Sequence, residues 1–245
     1  MKISAAQIQP VTGDIESNIA KHLTLANAAI KRRTHLIFFP ELSLTGYEPG
    51  LARSFATDKS DQRLEVFQQF SDEHNVVIGA GLPISVASGI QIGMVWFMPH
   101  QPRRSYAKQQ LHADELPFFV AGDDQLVLET ARGKAVPAIC YESLQCDHAR
   151  RAAELEANVY LASVAKPAGG MEKGMLHYPT IAKQHSMYVV VSNSVGLCDN
   201  FASVGQSAAW NHEGELLAQM DSKSEGLLLV DTVSGRTNIY ELQSV

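Results

Sequence analysis

Residues 36–47 read LIFFPELSLTGY. Leu36, Ile37, Phe38 and Phe39 form a short unbroken apolar run, rich in branched and aromatic side chains, and such a run reads as a strand covered on both faces. Pro40 ends it, because proline brings no N–H to a ladder. Glu41 then stands at the carboxyl end of a core strand. In open α/β sheets that end is where ligands collect, so a carboxylate there is either paired with a cation or held ready to exchange a proton.

Working outward, Ile3 to Ile8 reads as a first strand, and Asp14 caps a helix that places Ile15, Ile19, Leu23, Ala26 and Ile30 on one face. A second helix spans Gln62 to His74, with Leu64, Phe67 and Phe70 toward a core, and Val76 to Ala80 returns as a strand. Ile90 to Phe97, Arg103 to Ala107, Leu126 to Thr130 and Lys134 to Ile139 are short and leave too little room for helices between some of them, which implies antiparallel pairs. Asp147 to Glu156 and Met175 to His185 read as helices, Val159 to Val164 and Tyr188 to Ser192 as strands. Ser203 to Trp210 and Glu215 to Met220 form a closing hairpin through His212-Glu213-Gly214, before Gly226 to Val233. Alternation at both ends with antiparallel pairing between them predicts an α/β fold: two mixed sheets packed face to face with helices outside each.

The chain has 245 residues, 45% of them hydrophobic, enough for one large domain with a sizeable core. A net charge of -6 suggests neither a phosphate-binding surface nor a polybasic membrane patch, so nucleic acid is not an expected partner. No apolar stretch approaches the roughly 20 residues of a membrane span, and the start MKISAAQIQP lacks a basic segment followed by a long apolar one, so the expected location is the cytoplasm. The three cysteines, Cys140, Cys146 and Cys198, cannot all pair within one chain, which leaves at least one free thiol.

Three stretches each put one reactive group just past an apolar strand: FFPELSLTGY with Glu41, RRSYAKQQLHADE with Lys108, and AVPAICYES with Cys140. A free thiol has a pKa of about 8.5 and gains as a nucleophile from a neighbouring base, a role open to Glu41. Attack on an amide carbonyl puts charge on oxygen, which the Lys108 ammonium could stabilise, while Glu115 could hold that ammonium charged. Taken singly, each has a plain structural reading: Cys140 as a small buried apolar residue, Lys108 as a solvated strand end, Glu115 as a loop carboxylate. Glu41 has less of one, since an acid beside Phe39 and Leu42 is costly to bury unpaired.

Together and in this order, the three stretches resemble the nitrilase, or carbon-nitrogen hydrolase, superfamily. FPELSLTGY resembles its glutamate motif, YAKQQL its lysine motif and ICYES its nucleophile motif; ADELPFFVAGD resembles the segment that carries a second glutamate, which falls on Glu115. KISAAQIQPVTGDIESNI, IAKQHSMYVVVSNSVG and GQSAAWNHEGELLA extend the resemblance over nearly the whole chain, as a single domain from 1 to 245. The resemblance implies a four-layer α-β-β-α sandwich, commonly paired as a homodimer or higher homo-oligomer, and a site with neither metal nor organic cofactor. It implies that Glu41 is the general base, Lys108 stabilises the tetrahedral intermediate, Cys140 is the nucleophile, Glu115 is the supporting acid and Tyr141 lends its backbone N–H to the oxyanion. Partners would be a small amide substrate and water.

Some positions depart from that pattern or admit two readings. Many amidase members follow the nucleophile with Tyr-Asp and an arginine two places later, whereas here the run is Cys140-Tyr141-Glu142-Ser143-Leu144, which disfavours branches using that arginine for a substrate carboxylate. Tyr rather than Trp after the cysteine disfavours nitrile hydrolysis. N-carbamoyl hydrolysis remains a close variant; an acyltransferase branch shares Cys-Tyr-Glu but needs membrane helices, and a non-catalytic binding module requires a filled pocket or scattered motifs. Glu142 either pairs structurally with a lysine or arginine or faces substrate, alternation along a strand favouring the former. Tyr47 and His177 are candidate pocket residues, with helix surface the default for His177. Cys146 and His148 near Cys140 match no common zinc spacing. Pro137 predicts a bulge or a strand edge in the strand before the nucleophile.

Overall fold

The computed structural model describes residues 1–242. In chain order the strands are β1 (Lys2–Gln7), β2 (Leu36–Phe38), β3 (Val77–Val86), β4 (Gly89–Phe97), β5 (Arg104–Ala107), β6 (Leu128–Thr130), β7 (Gly133–Ile139), β8 (Val159–Val164), β9 (Tyr188–Asn193), β10 (Val195–Cys198), β11 (Phe201–Val204), β12 (Ala208–Trp210), β13 (Leu216–Gln219), β14 (Gly226–Asp231) and β15 (Thr237–Glu241). The α-helices are α1 (Ile15–Ile30), α2 (Ala52–Phe55), α3 (Glu65–His74), α4 (Cys146–Glu154) and α5 (Ala168–His185). One sheet runs β15-β14-β1-β2-β3-β4-β5 and the other β13-β12-β9-β8-β7-β6. Both are mixed: β1, β2 and β3 pair in parallel, as do β7, β8 and β9, while the outer pairs are antiparallel.

The strand alternation of side chains produces the layers directly. In β2, Leu36 and Phe38 enter the core between the sheets while Ile37 and the following Phe39 face the helices α1 and α3, so both faces are covered as the unbroken apolar run predicts. In β7, Ala135 and Ile139 enter the inter-sheet core, and Val136 and Ala138 meet α4 and α5. Helix, sheet, sheet and helix follow in that order, the expected four-layer sandwich. Buried hydroxyls cross between the sheets near the carboxyl ends of the parallel strands: Ser163 Oγ donates to Phe39 O at 2.8 Å and Ser192 Oγ to Ala6 O at 2.6 Å.

Several elements differ from the sequence expectation. The predicted strand Ser203 to Trp210 is two strands, broken where Gly205 and Gln206 both take left-handed backbone angles (φ 58° and 60°). Its first part pairs with β10, which the sequence reading lacked, in a separate two-stranded sheet. Helix α5 begins at Ala168 rather than Met175, and β15 extends the first sheet beyond β14. Pro137 is accommodated at an edge: β6 pairs only with Gly133 to Ala135, so at Pro137 the β7 strand has a ladder partner on the β8 side alone.

Candidate active site

Glu41 is delivered by the turn that follows β2, and two neighbours, Gly81 and His22, fix that turn. Leu44 N donates to Gly81 O at 2.9 Å, laying the turn flat on β3. A Cβ at Gly81 would sit 2.6 Å from Leu42 N and 2.7 Å from Pro40 O, so only glycine permits the approach. From the other side, the His22 ring of α1 stacks on Phe39 at 3.9 Å and bridges Asn18 O (2.7 Å) to Ser43 Oγ (2.9 Å). Burial holds His22 neutral, its pKa pushed down to about 3, which lets one ring nitrogen donate to the carbonyl and the other accept from the hydroxyl.

Lys108 follows β5 and is fully buried; its Nζ donates to Glu41 Oε1 at 2.8 Å and to Glu115 Oε1 at 2.5 Å. Burial alone would lower its pKa, but the charges of Glu41, Cys140 and Glu115 outweigh that and raise it, so the ammonium stays charged. Glu115 is completed by Tyr47 Oη (3.0 Å) and by His112 N on its Oε2 (2.7 Å). Glu41 differs: among the described residues its buried Oε2 has no hydrogen-bond partner. Burial raises the Glu41 pKa, the Lys108 charge opposing and the Glu115 charge adding to the rise. An unpartnered carboxylate oxygen with elevated proton affinity is suited to take up a proton.

Cys140 opens a short 3-10 helix (Cys140–Leu144) directly after β7, and its backbone lies in the left-handed region at φ 47°. For a non-glycine residue such a conformation costs about 1–3 kcal/mol and persists only when its surroundings enforce it. Here they do. Cys140 O accepts from Ser143 Oγ at 2.6 Å and from Lys166 Nζ at 3.2 Å, and the preceding Ile139 N donates to Glu142 Oε1 at 2.7 Å. Burial and then the Glu41 charge push the thiol up to about 11, against the pull of Lys166 and Lys108. At neutral pH the sulfur is therefore protonated and needs a base.

Among the described residues Glu142 pairs with no lysine or arginine, and it does not line the cavity. Its carboxylate is bound by Tyr106 Oη (2.6 Å), Ile139 N, Gln109 N (2.6 Å) and Gln110 N (3.3 Å), tying the segment after Lys108 to the turn that carries Cys140. The expected cationic partner is thus replaced by backbone N–H groups, which the two converging turns supply. A hydrogen-bonded row continues from Tyr106 Oη to His148 Nε2 (2.9 Å) and from His148 Nδ1 to Tyr160 Oη (2.7 Å). His148 is occupied in that row and Cys146 is exposed, so neither converges on Cys140 as a metal ligand.

Cys140, Lys108, Glu115, Tyr47, Tyr141 and His177 all line one cavity of about 590 Å³, a size suited to a small molecule. Glu41 lies behind it, joined through Lys108. Tyr141 stands in the first turn of the 3-10 helix, where backbone N–H groups lack an intrahelical acceptor, as an oxyanion donor requires. Lys166, absent from the sequence reading, is a further lining residue and is only 4% exposed. Its signal was present but faint: like Glu41 and Lys108, it falls just past a strand, here β8.

The sequence matches the carbon-nitrogen hydrolase family over residues 2–238. The chain belongs to the carbon-nitrogen hydrolase family. Among relatives of the chain, a glutamine-dependent NAD(+) synthetase of Acinetobacter baylyi is 28% identical over 92% of this chain and 43% of its own length. An omega-amidase of Yersinia enterocolitica is 22% identical over 90% of this chain and 85% of its own length. The chain thus spans less than half of the synthetase and most of the amidase. Among solved structures, the amidase of Nesterenkonia sp. AN1, as a cysteine-to-alanine mutant in complex with butyramide, superposes with a TM-score of 0.86 at 21% identity, covering 94% of this chain and 90% of that one. The hydrolase fold is therefore shared along almost the full length. Among the described residues, no helix is long and apolar enough to cross a membrane.

Proposed function

We propose that the chain hydrolyses a small linear amide through a thioester on Cys140, with Glu41 as base and Lys108 as electrostatic stabiliser. The observation that carries this reading is the unpartnered Oε2 of a buried Glu41, joined through Lys108 to the cavity on which Cys140 opens. Glu41 takes the thiol proton as the sulfur attacks the amide carbon. The Lys108 ammonium, kept charged by its two carboxylates, and the Tyr141 N–H stabilise the oxyanion; such a donor is worth about 10²- to 10³-fold in rate. Protonated Glu41 returns its proton to the leaving nitrogen, ammonia or an amine departs, and a thioester remains. Water, deprotonated by Glu41, attacks the thioester, and collapse of the second tetrahedral intermediate frees the carboxylic acid and the thiol.

Glu115 supports this cycle by holding Lys108, and Tyr47 by holding Glu115. An open cavity with these groups on or behind its wall disfavours a purely binding role. The relatives support an amide at the end of a short chain: an omega-amidase, a glutamine-dependent synthetase, and an amidase that holds butyramide. The test is ammonia release from a panel of short primary amides, with N-carbamoyl compounds alongside. Ammonia formed from at least one amide by the wild type but not by Cys140→Ala is expected; equal release by both proteins would sink the assignment.

A further inference from the structure

The residue left unexplained by this cycle is Lys166. It follows β8 and packs against the turn that carries the nucleophile, and its ammonium donates to Cys140 O at 3.2 Å. Its own backbone is clamped on both sides: Lys166 N donates to Asn193 Oδ1 at 2.8 Å, and Lys166 O accepts from Asn193 Nδ2 (3.2 Å), Ser203 Oγ (3.1 Å) and Val204 N (3.1 Å). Among the described residues no carboxylate comes within 4.0 Å of its Nζ, in contrast to Lys108, which has two. A buried ammonium without an acid partner is expensive to keep.

The charge count around the sulfur supplies a reason. When Glu41 and Glu115 are both ionised, the state in which Glu41 can act as a base, one Lys108 ammonium between them leaves an excess negative charge beside Cys140. That excess opposes a thiolate. We propose that Lys166 is a positioning residue for the nucleophile: its ammonium holds the carbonyl of the left-handed Cys140 turn and supplies the positive charge that cancels the excess. The proposal rests on Cys140 being the nucleophile of the reaction above. The groups around the sulfur agree with it. Glu41 comes from the turn after β2, Lys108 and Glu115 from the segment after β5, Cys198 from β10, and Tyr178, whose hydroxyl meets Ser143 Oγ at 2.8 Å, from α5. Lys166 and Lys108 are the buried cations whose charge favours the thiolate, whereas Lys173 of α5 lines the same cavity from an exposed position; burial and the Lys166 charge lower the pKa of His177 of α5.

The experiment compares wild type and Lys166→Met by the rate at which iodoacetamide alkylates Cys140 across a pH series, each cysteine followed separately by peptide mass mapping, with thermal melting in parallel. Lys166→Met is expected to slow alkylation of Cys140 by about tenfold or more at neutral pH and to move its midpoint upward by about one pH unit or more. Melting should change little, because Ser143 Oγ still donates to Cys140 O and the desolvation cost of the buried ammonium goes together with its hydrogen bond. A folded Lys166→Met protein with the wild-type alkylation profile overturns the proposal. So does a variant that fails to fold or melts well below wild type, since that assigns the lysine to structure. If Lys166→Met slows alkylation of Cys140 as expected but the wild type releases ammonia from no amide, the proposed reaction fails while the action of Lys166 on the Cys140 thiol is upheld.

Discussion

Replacing Glu142 by glutamine separates two states that the structure accommodates equally well. Burial pushes the Glu142 carboxyl up to about 7 from an ordinary 4.5, although Tyr106 Oη and the N–H groups of Ile139 and Gln109 favour its ionised form. The row Glu142, Tyr106, His148, Tyr160 allows either state, because reversing every hydroxyl and the His148 tautomer turns a set of donors to a carboxylate into a set of acceptors from a carboxylic acid. With the folded pKa above the unfolded one, the native state binds this proton more tightly. Its contribution to stability is full below pH 4.5 and is lost as pH rises through about 7. Raising 4.5 to about 7 amounts to about 3 kcal/mol. Glutamine mimics the neutral acid and does not titrate, and the mismatch of its NH₂ group with nearby N–H donors is the same at every pH. Urea unfolding of wild type and Glu142→Gln at about pH 4.5 and about pH 8 therefore gives a difference from which other titrations cancel. The wild-type advantage should shrink by about 3 kcal/mol toward the higher pH. A difference that stays flat, or grows with pH, would show a Glu142 carboxylate ionised throughout and exclude its raised pKa.

Lys108→Met leaves Glu41 and Glu115 facing each other without their shared cation, and removing one partner of a buried ion pair costs about 3–5 kcal/mol; urea unfolding should show that loss, reduced in acid where Glu41, its pKa raised, takes up a proton. The acid limb of kcat/KM should lie above pH 4.5, because the Glu41 pKa is raised and activity falls as its carboxylate is protonated; a pH–rate profile with its limb below that value would contradict Glu41 as base. Gly81→Ala forces a Cβ against Leu42 N and Pro40 O, both backbone atoms that cannot swing aside, so it should shift Glu41 and lower kcat by tenfold or more (about 10²-fold for a displacement of about 1 Å). Ammonia release at saturating amide checks this, and wild-type kcat in Gly81→Ala would mean the turn can give way.

The elements that were legible in the sequence are those whose burial is complete. Leu36 to Phe39 has apolar side chains on both faces, so its position in a doubly covered sheet followed from the run itself, and Glu41 stood out because nothing apolar justifies it. The pair β10 and β11 was hidden for the opposite reason. Only Val195, Cys198 and Ser203 of its eight residues are buried, so the strands carry no apolar rhythm, and the turn-forming pair Asp199-Asn200, where Asp199 takes φ 45°, is the sequence signal between them. The first turns of α5 contain Gly169 and Gly170, weak helix formers, and lack a side-chain cap, so tertiary contact rather than propensity sets that start. Glu142 was legible as structural, but its partners were not, since backbone N–H groups from two distant turns leave no trace in residue identity. Lys166 looked like an ordinary charged strand end; its burial and its bond to Cys140 O exist only once β7 and β8 are side by side.

The proposed thioester on Cys140 can be detected by intact mass. Wild type mixed with a turned-over amide and quenched within the first turnovers should gain the mass of the acyl group, with peptide mapping placing it on Cys140, and Cys140→Ala should show no gain. An acyl group on another residue, or steady ammonia release by Cys140→Ala, would contradict the account.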